Sequence, residues 1–335
     1  MVIKYTEGRR HEQNEIILKS RGFAYRYLPY WAGLPRELGG KEITAVGCDS
    51  QDFVYVLSRS FEVPIMVFAP DGTYLRSIGK GLFYERPHGI FINQRDELYC
   101  TDDKAHVVMK LTRDGELIRM FGKPHEPSGT GCNWNAYEEY RQRNGIPPSA
   151  PADGALSLKL RLDSIVRTAG PFNGPTRMIE APNGDLFCTD GYGNAAVHHF
   201  TGDGTLLHTF GSPGSEPGQF RLPHGLIMDQ KGRLWVADRE NGRIQIFDVR
   251  GKLELCLEGF LRPTEFCTDG VYIYVSESGG GFSILDQEGE VKAQFGYEKS
   301  PFYLHGIGMD SKGDLYGATL SKNRFHNLIK FQRLE

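Results

Sequence analysis

The feature that most constrains the fold is a signature that recurs along the chain. Arg86-Pro87-His88-Gly89-Ile90, Leu222-Pro223-His224-Gly225-Leu226 and Tyr303-Leu304-His305-Gly306-Ile307 each end in His-Gly and an aliphatic residue. About ten residues later each is followed by a second run: Glu97-Leu98-Tyr99, Arg233-Leu234-Trp235 or Asp314-Leu315-Tyr316. A chain that repeats itself must be read by its repeat before any single residue is given a role.

An Asp or Asn stands five residues after each of these histidines. Aligning on that position recovers three further copies, in which Asp49 points back to Thr44, Ala181 to Thr176 and Asp269 to Thr264. One repeat position therefore reads Thr44, His88, Thr176, His224, Thr264, His305, with Thr and His alternating. His224 and His305 are 81 residues apart, or two repeats of about 40. His88 and His224 are 136 apart, which is two repeats and a long insertion.

A period of about 40 residues with several short apolar runs per copy suits a propeller blade of four antiparallel strands. In the fourth copy the strands are expected at 225–229, 233–238, 243–247 and 253–257, separated by Gln230-Lys231-Gly232, Glu240-Asn241-Gly242 and Arg250-Gly251. Helical repeats can share this period, but these runs are short, β-branched and aromatic, and cut by glycine every eight to twelve residues. The fold class is therefore all-β, a six-bladed propeller forming one domain over 1–335. Its blades are expected at about 41–79, 86–122, 171–211, 221–259, 260–296 and 302–335.

Six blades place equivalent positions roughly 60° apart, so histidines in blades two, four and six lie about 120° apart at the start of the innermost strands. His88, His224 and His305 thus converge on the central channel as a trigonal metal site with room for another ligand, with zinc the expected ion.

A hydrophobic fraction of 39%, a charged fraction of 24% and 41 glycines fit a globular β-protein. A formal net charge of -3 and the lack of Lys/Arg runs argue against nucleic acid as a partner. No apolar stretch approaches membrane-spanning length, so no membrane partner is expected. Residues 1–10 have neither an apolar core nor a cleavage site, and none of the six cysteines forms a CxxC pair. The expectation is a cytoplasmic chain with free thiols and a small-molecule substrate.

Residues 1–22 are polar and expected as a loose arm. The run from Phe23 alternates like a strand, and over 23–31 it is expected to supply the strand that the last repeat lacks, closing the ring. The insertion, 123–170, carries Trp134, Tyr137, Tyr140 and a Pro-rich stretch. It emerges on the face where the histidine strands begin, as a lid over the mouth or a flap packed elsewhere.

The turns after the second strands open on the same face. Asp102, Asp190 and Asp238 there are expected to bind turn amides. Arg59, Arg239 and Tyr192 have no such role, and two guanidiniums and a phenol facing a metal suit a carboxylate-bearing or oxyanionic substrate. Gly191 is expected to let the turn bring Tyr192 towards the axis.

The run Val236-Ala237-Asp238-Arg239-Glu240-Asn241-Gly242-Arg243-Ile244-Gln245-Ile246-Phe247 resembles an NHL repeat. The three His motifs with Thr189-Asp190-Gly191-Tyr192-Gly193-Asn194 resemble peptidyl-α-hydroxyglycine α-amidating lyase, the second catalytic half of the peptide-amidating enzyme. The resemblance runs from about residue 40 to the end, leaving out the insertion. It implies a six-bladed propeller with a catalytic zinc, or a similar divalent metal, on His88, His224 and His305. It also implies Tyr192 as general base, Arg59 and Arg239 as active-site arginines, and cleavage of an N-acyl hemiaminal to an amide and glyoxylate. Two positions depart from the family. A cysteine of the animal enzymes is Gly193 here. The family's structural calcium uses two carbonyls, matching Val46 and Ile90, and an aspartate whose place is taken by Gly306. A small carbinolamide such as ureidoglycolate suits this chain better than a secreted peptide. Another metal-dependent propeller enzyme (a hydrolase, lactonase or hydratase) and a non-catalytic NHL interaction module are the alternatives.

Overall fold

The computed structural model describes residues 16–296, 302–320 and 327–334. Six antiparallel sheets form the blades of a propeller. Four-stranded sheets span Ile43–Ile78, Pro87–Phe121, Pro175–Phe210, Pro223–Glu258 and Pro263–Phe295 in the order of the sequence. The four strands of the fourth blade, Pro223–Met228, Leu234–Asp238, Arg243–Phe247 and Leu253–Glu258, fall where the turn residues place them.

The sixth blade closes the ring. Leu304–Met309, Leu315–Thr319 and Leu328–Leu334 are joined by Phe23–Leu28, which pairs in register from Ala24 opposite Leu334 to Leu28 opposite Lys330. The closing strand is shorter than 23–31. Beyond Leu28 the chain turns so that Trp31 packs on Tyr316 and Phe68, at centroid distances of 4.9 and 6.0 Å. The loose-arm expectation needs correction for its last part. Ile17–Ser20 is a fifth strand, paired with Phe23–Leu28 through a two-residue turn at Arg21 and Gly22, both with positive φ. Residues 1–15 of that arm lie outside the described residues.

Instead of one central core, an apolar cluster fills each junction between successive blades. Inner and middle strands are buried on both faces, as in Leu234–Asp238, whereas outer strands such as Leu253–Glu258 meet solvent. The insertion contributes two helices, α1 (Ala136–Arg143) and α2 (Gly154–Asp163), the second N-capped by Asp153 accepting from Leu156 N–H. Five cysteines are strand residues and Cys132 lies in the insertion.

Tyr25 locks the seam. It is fully buried and stands edge-on to Phe282 and Phe295 of blade five, with centroids 5.8 and 5.5 Å away. Truncating a buried aromatic costs about 3–5 kcal/mol. Tyr25→Ala should lose stability on that scale in denaturant titration. A loss under about 1 kcal/mol would show that the seam does not depend on this ring.

Candidate metal centre and its mouth

Each of His88, His224 and His305 is the second residue of an innermost strand: Pro87–Ile92, Pro223–Met228 and Leu304–Met309. Thr44, Thr176 and Thr264 hold the same place in the other three blades. In all six blades the pairing register shifts at this point. A bulge there re-aims the side chain, which turns strand residues into channel residues.

The alternation of His and Thr has a structural cause. Each imidazole Nδ1–H donates to the carbonyl of the threonine in the following blade: His88 to Thr176 at 3.0 Å, His224 to Thr264 at 2.8 Å and His305 to Thr44 at 2.7 Å. A carbonyl only accepts, so the proton sits on Nδ1 and Nε2 presents a lone pair. Glycine follows each histidine because the next blade's backbone comes close. A Cβ on Gly89 or Gly225 would collide with the carbonyl oxygen of Thr176 or Thr264.

The three rings form a nearly equilateral triangle, with centroids 4.6, 4.8 and 4.9 Å apart, and one nitrogen from each lies within 4.8 Å of the others. They are 2%, 2% and 3% exposed. His224 Nε2 and His305 Nε2 are buried without a hydrogen-bond partner. Burial holds all three below the ordinary histidine value, His305 at about 3, so they are neutral ligands at neutral pH. Converging lone pairs on three oriented, neutral imidazoles, two of them without a hydrogen-bond partner at Nε2, fit a divalent metal ion.

Tyr192 stands beside this triangle. Its hydroxyl lies 3.2 Å from His88 Nε2 and accepts from Arg239 Nη1 at 3.2 Å. Gly191 does not take a left-handed conformation. A side chain there would strike the backbone of Pro223, so the glycine serves close packing against blade four. Arg59 pairs with Glu42, and its charge acts on His88 and His305. The structure thus brings the three histidines, Tyr192 and Arg239 into direct contact or one bond apart, with Arg59 at the edge. Asp102 accepts from the N–H groups of Tyr84, Glu85 and Arg86, Asp190 from Asn173, and Asp238 from Arg221, all in the role of turn ligands.

Two cations were missed. Arg86, two residues before His88, lays its guanidinium over the Tyr192 ring at 4.6 Å while donating to Asp103 at 2.6 Å. Arg161 of α2 approaches the same ring at 5.3 Å. A charged residue before Pro-His on a buried strand was the available signal for Arg86, whereas Arg161 stands outside the repeat. The insertion lies against the mouth: Leu162 and Ile165 pack on Tyr192 and Leu222, and Trp134 donates to Asn173 at 2.8 Å.

The calcium implied by the resemblance does not fit these residues. The Ile90 carbonyl accepts from Arg177 Nη1, and Gly306 brings no carboxylate. Arg177 also pairs with Glu265 at 3.2 Å, both on inner strands, so a guanidinium serves as the cation there.

Removing one ligand should empty the triangle. Elemental analysis of wild-type protein should find about one divalent ion per chain, and His224→Ala should lose most of it. Full metal content in that variant would count against the site. Glu265 offers a separate test. Burial, only partly offset by Arg177, pushes its carboxyl up to about 7 from an ordinary 4.5. Between these values the folded chain holds a proton that the unfolded chain has released. Its contribution to stability is therefore fullest below about pH 4.5 and is lost as pH rises through about 7. Glu265→Gln should flatten that part of the stability curve, and an unchanged slope in denaturant titrations between these pH values would refute the assignment.

Comparison with known proteins agrees with this architecture. Residues 220–247 match the NHL repeat model. NHL repeat-containing protein 3 of Homo sapiens is 27% identical over 269 residues, 76% of this chain and 67% of that one. Peptidyl-alpha-hydroxyglycine alpha-amidating lyase 1 of Drosophila melanogaster is 29% identical over 179 residues, 50% of this chain and 26% of that one. Among solved structures, a gluconolactonase from Xanthomonas campestris superposes with a TM-score of 0.59 over 94% of this chain and 91% of its own, at 14% identity, which speaks for the fold alone. Among the described residues no helix is long and apolar enough to cross a membrane. The chain is a six-bladed propeller in which residues 220–247 match an NHL repeat, and along 179 residues, half of its length, it is similar to a peptidyl-α-hydroxyglycine α-amidating lyase.

Proposed function

We propose that this propeller is a metal-dependent carbon–nitrogen lyase. It cleaves an N-acyl hemiaminal, an α-hydroxyglycine amide or a ureidoglycolate-like compound, to an amide and glyoxylate. The observation that carries the reading is the meeting of three neutral imidazoles with the Tyr192 hydroxyl, 3.2 Å from His88 Nε2. The relative named as an amidating lyase supports it.

A divalent ion on His88, His224 and His305, zinc in this reading, supplies the Lewis acidity that makes a substrate hydroxyl a better proton donor. The chain's own groups do the rest. Tyr192, acting as the phenolate, takes the hydroxyl proton as general base and is returned to the phenolate when that proton is passed on. The O–H electrons close the C=O of glyoxylate, the C–N pair leaves on nitrogen, and the proton held at Tyr192 passes to that nitrogen to complete the amide. Arg239 Nη1–H, already directed at the phenol oxygen, stabilises the charge there while the proton is away. Arg59, paired with Glu42, stands at the edge of the site, where its charge acts on His88 and His305.

A non-catalytic interaction propeller is the second reading, because the human relative's name states no activity. It gives no reason for buried imidazole nitrogens without partners. A lactonase or other hydrolase would use the same imidazoles with water as the nucleophile, and product analysis separates it from a lyase.

Tyr192→Phe removes one hydroxyl and leaves the triangle intact. Its kcat on an α-hydroxyglycine amide should fall about 10²–10⁴-fold, with KM and metal content nearly unchanged. Near wild-type turnover would take Tyr192 out of the mechanism. A metal-loaded wild-type protein inactive on every such hemiaminal would sink the lyase reading.

A further inference from the structure

The insertion brings to the mouth a cation that forms no ion pair among the described residues. Helix α2 is held on blade four by Asp163, which pairs with Arg221. Two residues earlier, Arg161 turns inward and stacks on Trp134, its guanidinium carbon 4.5 Å from that ring. Among the described residues this guanidinium makes no hydrogen bond and no ion pair, and its Nε is buried without a partner.

The other arginines of the mouth are engaged. Arg59 pairs with Glu42, Arg86 with Asp103 at 2.6 Å, and Arg239 with Glu240 at 3.3 Å. Each keeps one buried nitrogen without a hydrogen bond, Nη2 of Arg86 and Nε of Arg59 and Arg239, but only Arg86 shares the Tyr192 ring with Arg161. Arg86 and Arg161 therefore face one phenol ring, at 4.6 and 5.3 Å, with one carboxylate, Asp103, close to both. Burial first, then the charge of Arg86, pulls Arg161 below the ordinary arginine value. A partly desolvated cation beside a like charge is unfavourable until an anion joins it.

We propose that Arg86 and Arg161 form a clamp for the substrate's carboxylate, one jaw on blade two and the other on the insertion. This rests on the reading of the substrate as a carboxylate-bearing hemiaminal. It moves that carboxylate away from Arg59, whose charge Glu42 already answers, to the guanidinium with free N–H groups. A planar guanidinium offers a donor fork that matches a carboxylate, and stacking on Trp134 fixes the plane of that fork. The insertion then acts in selectivity: a substrate without a carboxylate leaves Arg161 unpaired.

The test is equilibrium binding of glyoxylate, the acid product, to metal-loaded protein by calorimetry, with methyl glyoxylate as the neutral control. Arg161→Gln should weaken glyoxylate binding about 10–100-fold, the loss of a charge-assisted hydrogen bond. Its affinity for methyl glyoxylate and its metal content should not change, and Arg161→Lys should recover part of the loss. The clamp is overturned if wild type does not bind glyoxylate, if Arg161→Gln binds it as wild type does, or if the variant loses glyoxylate and the neutral ester equally. Arg161-dependent glyoxylate binding in a protein that cleaves no hemiaminal would keep the clamp and discard the lyase reading.

Discussion

Everything at the mouth depends on one hydrogen bond made three times, from an imidazole Nδ1–H to the backbone of the next blade. That bond fixes the tautomer, aims Nε2 at the axis and sets the spacing of neighbouring blades at their innermost point. It also divides the six blades into two kinds. Even blades supply a histidine, and odd blades supply the carbonyl that orients it. The threonine hydroxyls continue the pattern: Thr176 and Thr264 donate to the carbonyls of Pro223 and Leu304, the residues just before His224 and His305. Imidazole and hydroxyl thus stitch the inner strands together at five of the six junctions, independently of any ion, while the Thr44 hydroxyl turns back to the Leu57 carbonyl of its own blade.

The electrostatics of the channel follow from the same arrangement. Three neutral imidazoles leave the axis without charge of its own, so the surrounding arginines decide what enters. Arg59 and Arg239 carry their own acids, Arg177 sits against the Ile90 carbonyl and Glu265, and Arg161 faces the phenol. The field at the mouth favours an anion, although the chain as a whole carries a formal net charge of -3.

The repeat made much of this readable in advance. Blade number, strand positions and the convergence of His88, His224 and His305 follow from period and alternation, because a propeller converts sequence phase directly into angle. Tyr192 and Arg239 were readable for the same reason, since both lie in turns whose place in the blade is set by the repeat. Arg161 was not. Its helix belongs to no repeat, and only three-dimensional packing brings it onto Tyr192. Ile17–Ser20 escaped for another reason: a short apolar run at the end of a polar stretch pairs as a strand against Phe23–Leu28, which is itself pinned at the seam. Arg177 shows a third kind of blindness, in which a channel position reads as ordinary until its partner, 88 residues further on, is known.

The seam carries a consequence for how the molecule is assembled. The hydrogen bond from His305 to Thr44 joins residues 261 apart, and Phe23–Leu28 pairs with Leu328–Leu334. Five blades can be made in order as the chain emerges, but the triangle of imidazoles is complete only once the sixth has met the first. Closing so long a loop is entropically costly and makes folding slow. Completion of the chelating triangle and closure of the circle are one event. Any ion that prefers the closed triangle therefore also favours the closed circle, by an amount that grows with its free concentration. Metal supply and mechanical integrity would then be linked in this protein, even though no metal ligand lies in the closing strand itself.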